Sequence, residues 1–125
     1  MKYLLDTNIV LYALKKEPVV LEWLAKVAEN RAEAAISVIS VIELLGYPDM
    51  SASEEKAVKT VLGKIEQIGL DEPVVETTIL VRRKARIKLP DAIIAASAMA
   101  TGRVLVTRNI SDFRKVANLK TCNPF

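Results

Sequence analysis

Lys2-Tyr3-Leu4-Leu5-Asp6-Thr7-Asn8 runs apolar and then stops on a carboxylate followed by two small polar residues. Tyr, Leu and Leu with little polar alternation suit a strand covered on both faces, as at the centre of a parallel α/β sheet. Thr7 and Asn8 then open a helix whose Ile9, Val10, Leu11, Ala13 and Leu14 supply a buried face. Ligands of open α/β sheets bind at the carboxyl ends of the strands, so Asp6 stands where chemistry is expected.

Outward from this stretch, strands and helices alternate. Pro18 starts a second helix, with Val20, Leu24, Val27 and Ala28 on one face and Trp23 as a packing residue at its edge. Ala34 to Ile39 reads as a second strand. Ser40 then caps Val41-Ile42-Glu43-Leu44-Leu45, which Gly46 closes. Tyr47 to Ser53 has the content of a loop, and a helix from Glu54 carries Val58, Val61, Leu62 and Ile65. A short third strand falls around Gln67 to Leu70. Asp71-Glu72-Pro73 starts a helix with Val74, Thr78, Val81 and Ala85 on its buried side. Leu89-Pro90-Asp91 leads into an alanine-rich helix, apolar all round, that ends at Thr101-Gly102. Arg103 to Thr107 is a fourth strand, Asn109 to Phe113 turns into a short helix, and Leu119 to Thr121 adds an edge strand. This order predicts an α/β fold with a mostly parallel sheet and right-handed crossovers, in a single domain over residues 1–125.

Composition narrows the chemistry. With no histidine in 125 residues, Ser-His-Asp triads, Cys-His pairs and His-ligated zinc are excluded. The single cysteine, Cys122, reads as structural and fits a reducing compartment. No apolar run approaches the roughly 18 residues of a membrane span and the N-terminus enters a strand, so a soluble, cytoplasmic protein is expected. The net charge of +3 is unevenly spread: residues 1–81 hold 8 Lys and Arg against 13 Asp and Glu, whereas residues 82–125 hold 10 against 2. That asymmetry points toward a polyanionic partner.

Four acids, Asp6, Glu43, Asp91 and Asp112, each sit in or beside the first turn of an expected helix. Singly each is an ordinary cap, and Ser40-x-x-Glu43 matches a capping box. Together they are harder to dismiss, because helices that follow parallel strands point their N-termini at one sheet edge. Two carboxylates about 4 Å apart repel by roughly 4 kcal/mol at an effective dielectric of 20, more than a helix dipole offsets. A hard divalent cation, Mg²⁺ or Mn²⁺, removes the conflict and can activate a water for attack on phosphorus.

Leu5-Asp6-Thr7-Asn8, Ser40-Val41-Ile42-Glu43-Leu44, Leu89-Pro90-Asp91-Ala92-Ile93-Ile94-Ala95-Ala96-Ser97-Ala98 and Val106-Thr107-Arg108-Asn109-Ile110-Ser111-Asp112-Phe113 together resemble the PIN-domain ribonucleases. The chain looks most like the small VapC-type toxins of toxin-antitoxin pairs. The resemblance implies a three-layer fold with a five-stranded parallel sheet of order 3-2-1-4-5, and a Mg²⁺- or Mn²⁺-dependent endoribonuclease that cleaves by in-line attack of an activated water. It assigns metal binding and catalysis to Asp6, Glu43 and Asp91, with Asp112 or Asn109 at the fourth position. Thr7, Asn8, Thr107 and Asn109 are then candidates for water or phosphate contacts, the two threonines being equally readable as capping and strand residues. Arg82, Arg83, Arg86 and Lys88 are candidates for contacting RNA backbone, or are cations at a helix C-terminus. The resemblance further implies RNA as substrate, a VapB-like antitoxin and a homodimer. Two other readings are an RNA-processing nuclease of the same fold without an antitoxin, and a receiver-type signalling domain. The latter lacks its second acid after the first strand, where Thr7 stands.

Overall fold

The computed structural model describes residues 1–125. Five short strands, β1 (Lys2–Leu5), β2 (Glu33–Ser37), β3 (Glu66–Ile68), β4 (Val104–Val106) and β5 (Thr121–Cys122), form one sheet of order 3-2-1-4-5, every pairing parallel. Seven helices cover it: α1 (Thr7–Leu14), α2 (Pro18–Glu29), α3 (Val38–Leu45), α4 (Ala52–Leu62), α5 (Glu72–Lys84), α6 (Leu89–Ala100) and α7 (Ile110–Phe113).

Strand alternation builds the three layers. Successive residues point to opposite faces, so Leu4, Ala35 and Leu105 pack with Val81, Ala92, Ala95 and Phe113 on one side. Their neighbours Leu5, Ile36 and Val106 pack with Ile9, Val20, Leu44, Val58 and Leu62 on the other. Ala92 to Ala98 of α6 are all buried, which explains that helix's small side chains: it runs under the sheet, against β1, β2 and β4. Trp23 packs as expected, its ring edge-on to Tyr3 at 5.0 Å.

Local structure departs from the sequence reading in the segment that carries Glu43. The second strand ends at Ser37 rather than Ile39, and Ser37 is the cap, accepting a hydrogen bond from the Ile39 N–H at 3.2 Å. Ser40 and Glu43 are therefore the third and sixth residues of α3, and no capping box joins them. β-branched Val38 and Ile39 favoured extension by propensity, but the cap outweighed them. The actual capping box is Ser51 with Glu54, at the start of α4, inside the stretch read as a loop. Gly46 does close α3, and a Cβ there would meet the Ile42 carbonyl oxygen at 2.6 Å. The edge strands are displaced by a residue or more from their expected positions, to Glu66–Ile68 and Thr121–Cys122.

At the N-terminal edge of the sheet, Arg103 ties three strands together. Its side chain is buried, donating to the Tyr3 carbonyl at 3.3 Å and to Glu66 Oε2 at 2.8 Å. Glu66 is 61% exposed, so water screens the pair, and Glu66→Ala is expected to cost only about 1–2 kcal/mol in urea unfolding. An unchanged midpoint would show the ion pair to be idle.

Candidate active site

The opposite, C-terminal edge gathers the acids. Asp6 leaves β1 as the N-cap of α1, nearly buried at 5% exposure. Its Oδ1 accepts from the Thr7 N–H and its Oδ2 from the Thr107 hydroxyl, both at 2.8 Å. Thr107 in turn accepts from the Asn109 N–H at 2.9 Å. Glu43 is exposed, on the second turn of α3. Thr7 Oγ1 lies 2.7 Å from Glu43 Oε1 and 2.6 Å from Ser40 Oγ. A hydroxyl has one proton, and the carboxylate can only accept. Thr7 therefore donates to Glu43, with Ser40 Oγ packed against the same hydroxyl. Asp91, half-buried, is the third residue of α6. Asp112 is exposed on α7 and accepts from Asn109 Nδ2 at 2.6 Å.

Asp6, Glu43 and Asp91, arriving on three different elements, line one cleft of about 440 Å³ together with Thr7, Asn8 and Asn109. Asp112 faces an adjoining groove of about 520 Å³ that also includes Asp91. Burial raises the pKa of Asp6 above 3.8 despite the Thr107 and Thr7 hydrogen bonds, and the charges of Asp91 and Glu43 push it the same way. Asp91 is raised by burial and by the charges of Asp112 and Glu43, with Lys88 opposing. In both, burial is the larger cause and neighbouring charge the smaller, and no three of the acids are drawn into a preformed ligand cage. Oxygen-only donors in an open cleft suit a hard cation that keeps several waters, so the residues fit Mg²⁺ or Mn²⁺.

Arg82, Arg86 and Lys88 line the adjoining groove, whereas Arg83 does not. Lys115 joins them, its Nζ donating to the Arg86 carbonyl at 3.2 Å. Lys115 is not among the candidates the sequence offers, and Ser40 is there read only as a helix cap. Ser40 and Glu43 are three apart on one helix face, a signal that the mistaken cap absorbed. Lys115 had no signal beyond the general basicity of the C-terminal third.

Residues 3–119 match the family described as PIN domain. The chain belongs to the PIN-domain family. Within it this PIN domain is of the VapC ribonuclease type. It is 30% identical to "Ribonuclease VapC2" of Haemophilus influenzae, over 98% of each chain. It is 29% identical to "tRNA(fMet)-specific endonuclease VapC" of Shigella flexneri, over 97% of this chain and 96% of that one. Among solved structures, VapBC2 from Rickettsia felis, bound to a DNA fragment from its promoter, is 29% identical with a TM-score of 0.87. A toxin-antitoxin complex from Klebsiella pneumoniae is 26% identical with a TM-score of 0.80. Each of these alignments covers 98% of both chains. The five-stranded parallel order expected from the motifs is the order observed. No helix of this PIN domain is long and apolar enough to cross a membrane.

Proposed function

We propose that this PIN domain is a Mg²⁺- or Mn²⁺-dependent endoribonuclease acting as the toxin of a VapBC-type pair, with RNA as substrate and a VapB-like antitoxin and a second copy of itself as partners. The observation that carries the reading is the convergence of Asp6, Glu43 and Asp91 on one cleft that opens onto a groove lined by Arg82, Arg86, Lys88 and Lys115. Asp6, Glu43 and Asp91 would hold the ion, with Asp112 and Asn109 at its margin. When bound, the ion supplies Lewis acidity, both activating water and offsetting charge that develops on the phosphate.

The chain's own residues do the positioning. Thr107 and Thr7 fix the two oxygens of Asp6, and Thr7, backed by Ser40, fixes Glu43. Both threonine hydroxyls are thereby committed to carboxylates, so they orient acids rather than bind phosphate. The cations of the adjoining groove attract the RNA backbone toward a cleft that would otherwise repel it. Asn109 adds an amide that holds Asp112 without adding charge.

The test uses total cellular RNA, so that a narrow target is represented. Wild-type protein is expected to yield discrete fragments with 5′-phosphate ends in Mg²⁺ or Mn²⁺ and none in EDTA, while Asp91→Asn yields none in any buffer. Fragments that persist in EDTA or in Asp91→Asn would overturn the assignment of the acids, and an intact pool at micromolar protein would overturn the nuclease reading.

A further inference from the structure

The loop that brings Thr107 and Asn109 to the acids exposes the residue between them. The Arg108 guanidinium lies over the Phe125 ring, 4.1 Å from its centroid, and 5.6 Å from that of Tyr12. Its Nη1 donates to the Tyr12 hydroxyl at 3.4 Å, and the two rings meet edge to face at 5.1 Å. Tyr12 is one helical turn beyond Asn8, which lines the acid cleft. Arg108 and Phe125 are both exposed, and Arg108 has no carboxylate partner. A surface arginine usually points into water with its rotamers free. This one is held against two rings, next in the chain to Asn109, which lines the acid cleft.

We propose that Arg108, backed by Phe125 and Tyr12, is a stacking platform for an unpaired nucleobase beside the scissile phosphate. The inference rests on the ribonuclease reading and assigns to Arg108 the contact with a base that lies outside a duplex. Unstacked bases pack on guanidinium planes and aromatic rings whatever their sequence, whereas bases inside a duplex present no free face. The rings have already ordered the guanidinium, so little entropy remains to be lost on binding. Its charge adds attraction to the flanking phosphates.

The test is a titration, in EDTA to prevent cleavage, of single-stranded RNA carrying 2-aminopurine, and of an RNA duplex, with wild type, Arg108→Ala and Arg108→Lys. Both variants are expected to weaken single-strand binding by roughly 5- to 100-fold and to lose the fluorescence quenching that stacking produces. Lysine keeps the charge without the plane. Duplex binding by Arg108→Lys, which keeps the charge, and the thermal shift produced by Mn²⁺ in both variants stay as in wild type. Single-strand binding by Arg108→Lys equal to wild type would reduce Arg108 to a point charge and overturn the platform. Loss of the Mn²⁺ shift in both variants would overturn it too, because Arg108 would then act by placing the Thr107 loop. Wild type that cleaves total RNA while Arg108→Lys cleaves and binds equally well refutes the platform alone. Wild type that neither cleaves nor binds RNA removes the nuclease reading with it.

Discussion

Asp91→Asn and Asp6→Asn, melted in EDTA, are expected to unfold at or above the wild-type temperature, although each removes an acid from a helix start. The ordinary expectation for losing such a residue is a cost of about 0.3–1 kcal/mol. Here burial, and after it the neighbouring acids, raise the pKa of Asp6 and of Asp91, so at neutral pH each of these two ionised carboxylates burdens the metal-free fold. The sign follows from linkage: a folded-state pKa above 3.8 means a penalty that is full above that pKa and relieved as pH falls toward 3.8. The asparagine variants should therefore gain most at pH 7 and least near pH 4. Adding Mn²⁺ at 100 times its Kd should raise the wild-type midpoint by roughly 10 °C, from about 2.7 kcal/mol of linkage. Neither variant should respond. Variants that melt lower in EDTA, with no Mn²⁺ response in wild type, would make the carboxylates caps and nothing more.

Asp91 belongs to both the acid cleft and the basic groove, and this double membership gives the site its direction. Lys88 and Asp91 are three residues apart around the start of α6, the lysine just outside the helix and the acid in its first turn. A phosphodiester chain held by the cations of α5 and the α5–α6 connection would pass over Asp91 before reaching Asp6 and Glu43. With the cations absent, the acid cleft would repel its own substrate. Under the proposed function, Arg82, Arg86, Lys88 and Lys115 would be the counterpart of the acids, and the charge asymmetry along the sequence would be the trace of that arrangement.

Much of this was legible in the residues because the relevant signals are local. Asp6 follows a short run of Tyr, Leu and Leu that suits a central strand, and β1 is that strand. Pro90-Asp91 before an alanine-rich stretch announced a buried helix with an acid in its first turn. What misled was Ser40-Val41-Ile42-Glu43, which has the spacing of a cap yet lies inside α3. Two serines, Ser37 and Ser40, could each start that helix, and tertiary context chose the first, leaving Ser40 buried against Thr7. The edge strands β3 and β5, of three and two residues, carry too few side chains for any period to show. Long-range links such as Thr107 to Asp6, spanning 101 residues in the chain, have no sequence signature at all.

That longest link carries the second large effect. Thr107→Val is expected to lower Mn²⁺ affinity and RNA cleavage by about 10- to 100-fold, the usual cost of removing a group that orients a metal-binding side chain. Thr107 is fully buried and its hydroxyl serves two partners, donating to Asp6 Oδ2 and accepting from the Asn109 N–H. Valine fills the same volume but leaves both polar groups unpaired, costing about 1–3 kcal/mol of stability. The loss of function must therefore be separated from a weakened fold, and Thr107→Ser does so, since it keeps the hydroxyl and gives up only a methyl. Serine should restore the Mn²⁺-dependent rise in melting temperature, even if the metal-free midpoint stays below wild type. If valine lowers the metal-free midpoint but leaves Mn²⁺ affinity and cleavage intact, Asp6 holds its orientation through the Thr7 N–H alone. The Thr107–Asn109 loop would then be a structural closure of the sheet edge, and Asp6 would be positioned entirely by the first turn of α1.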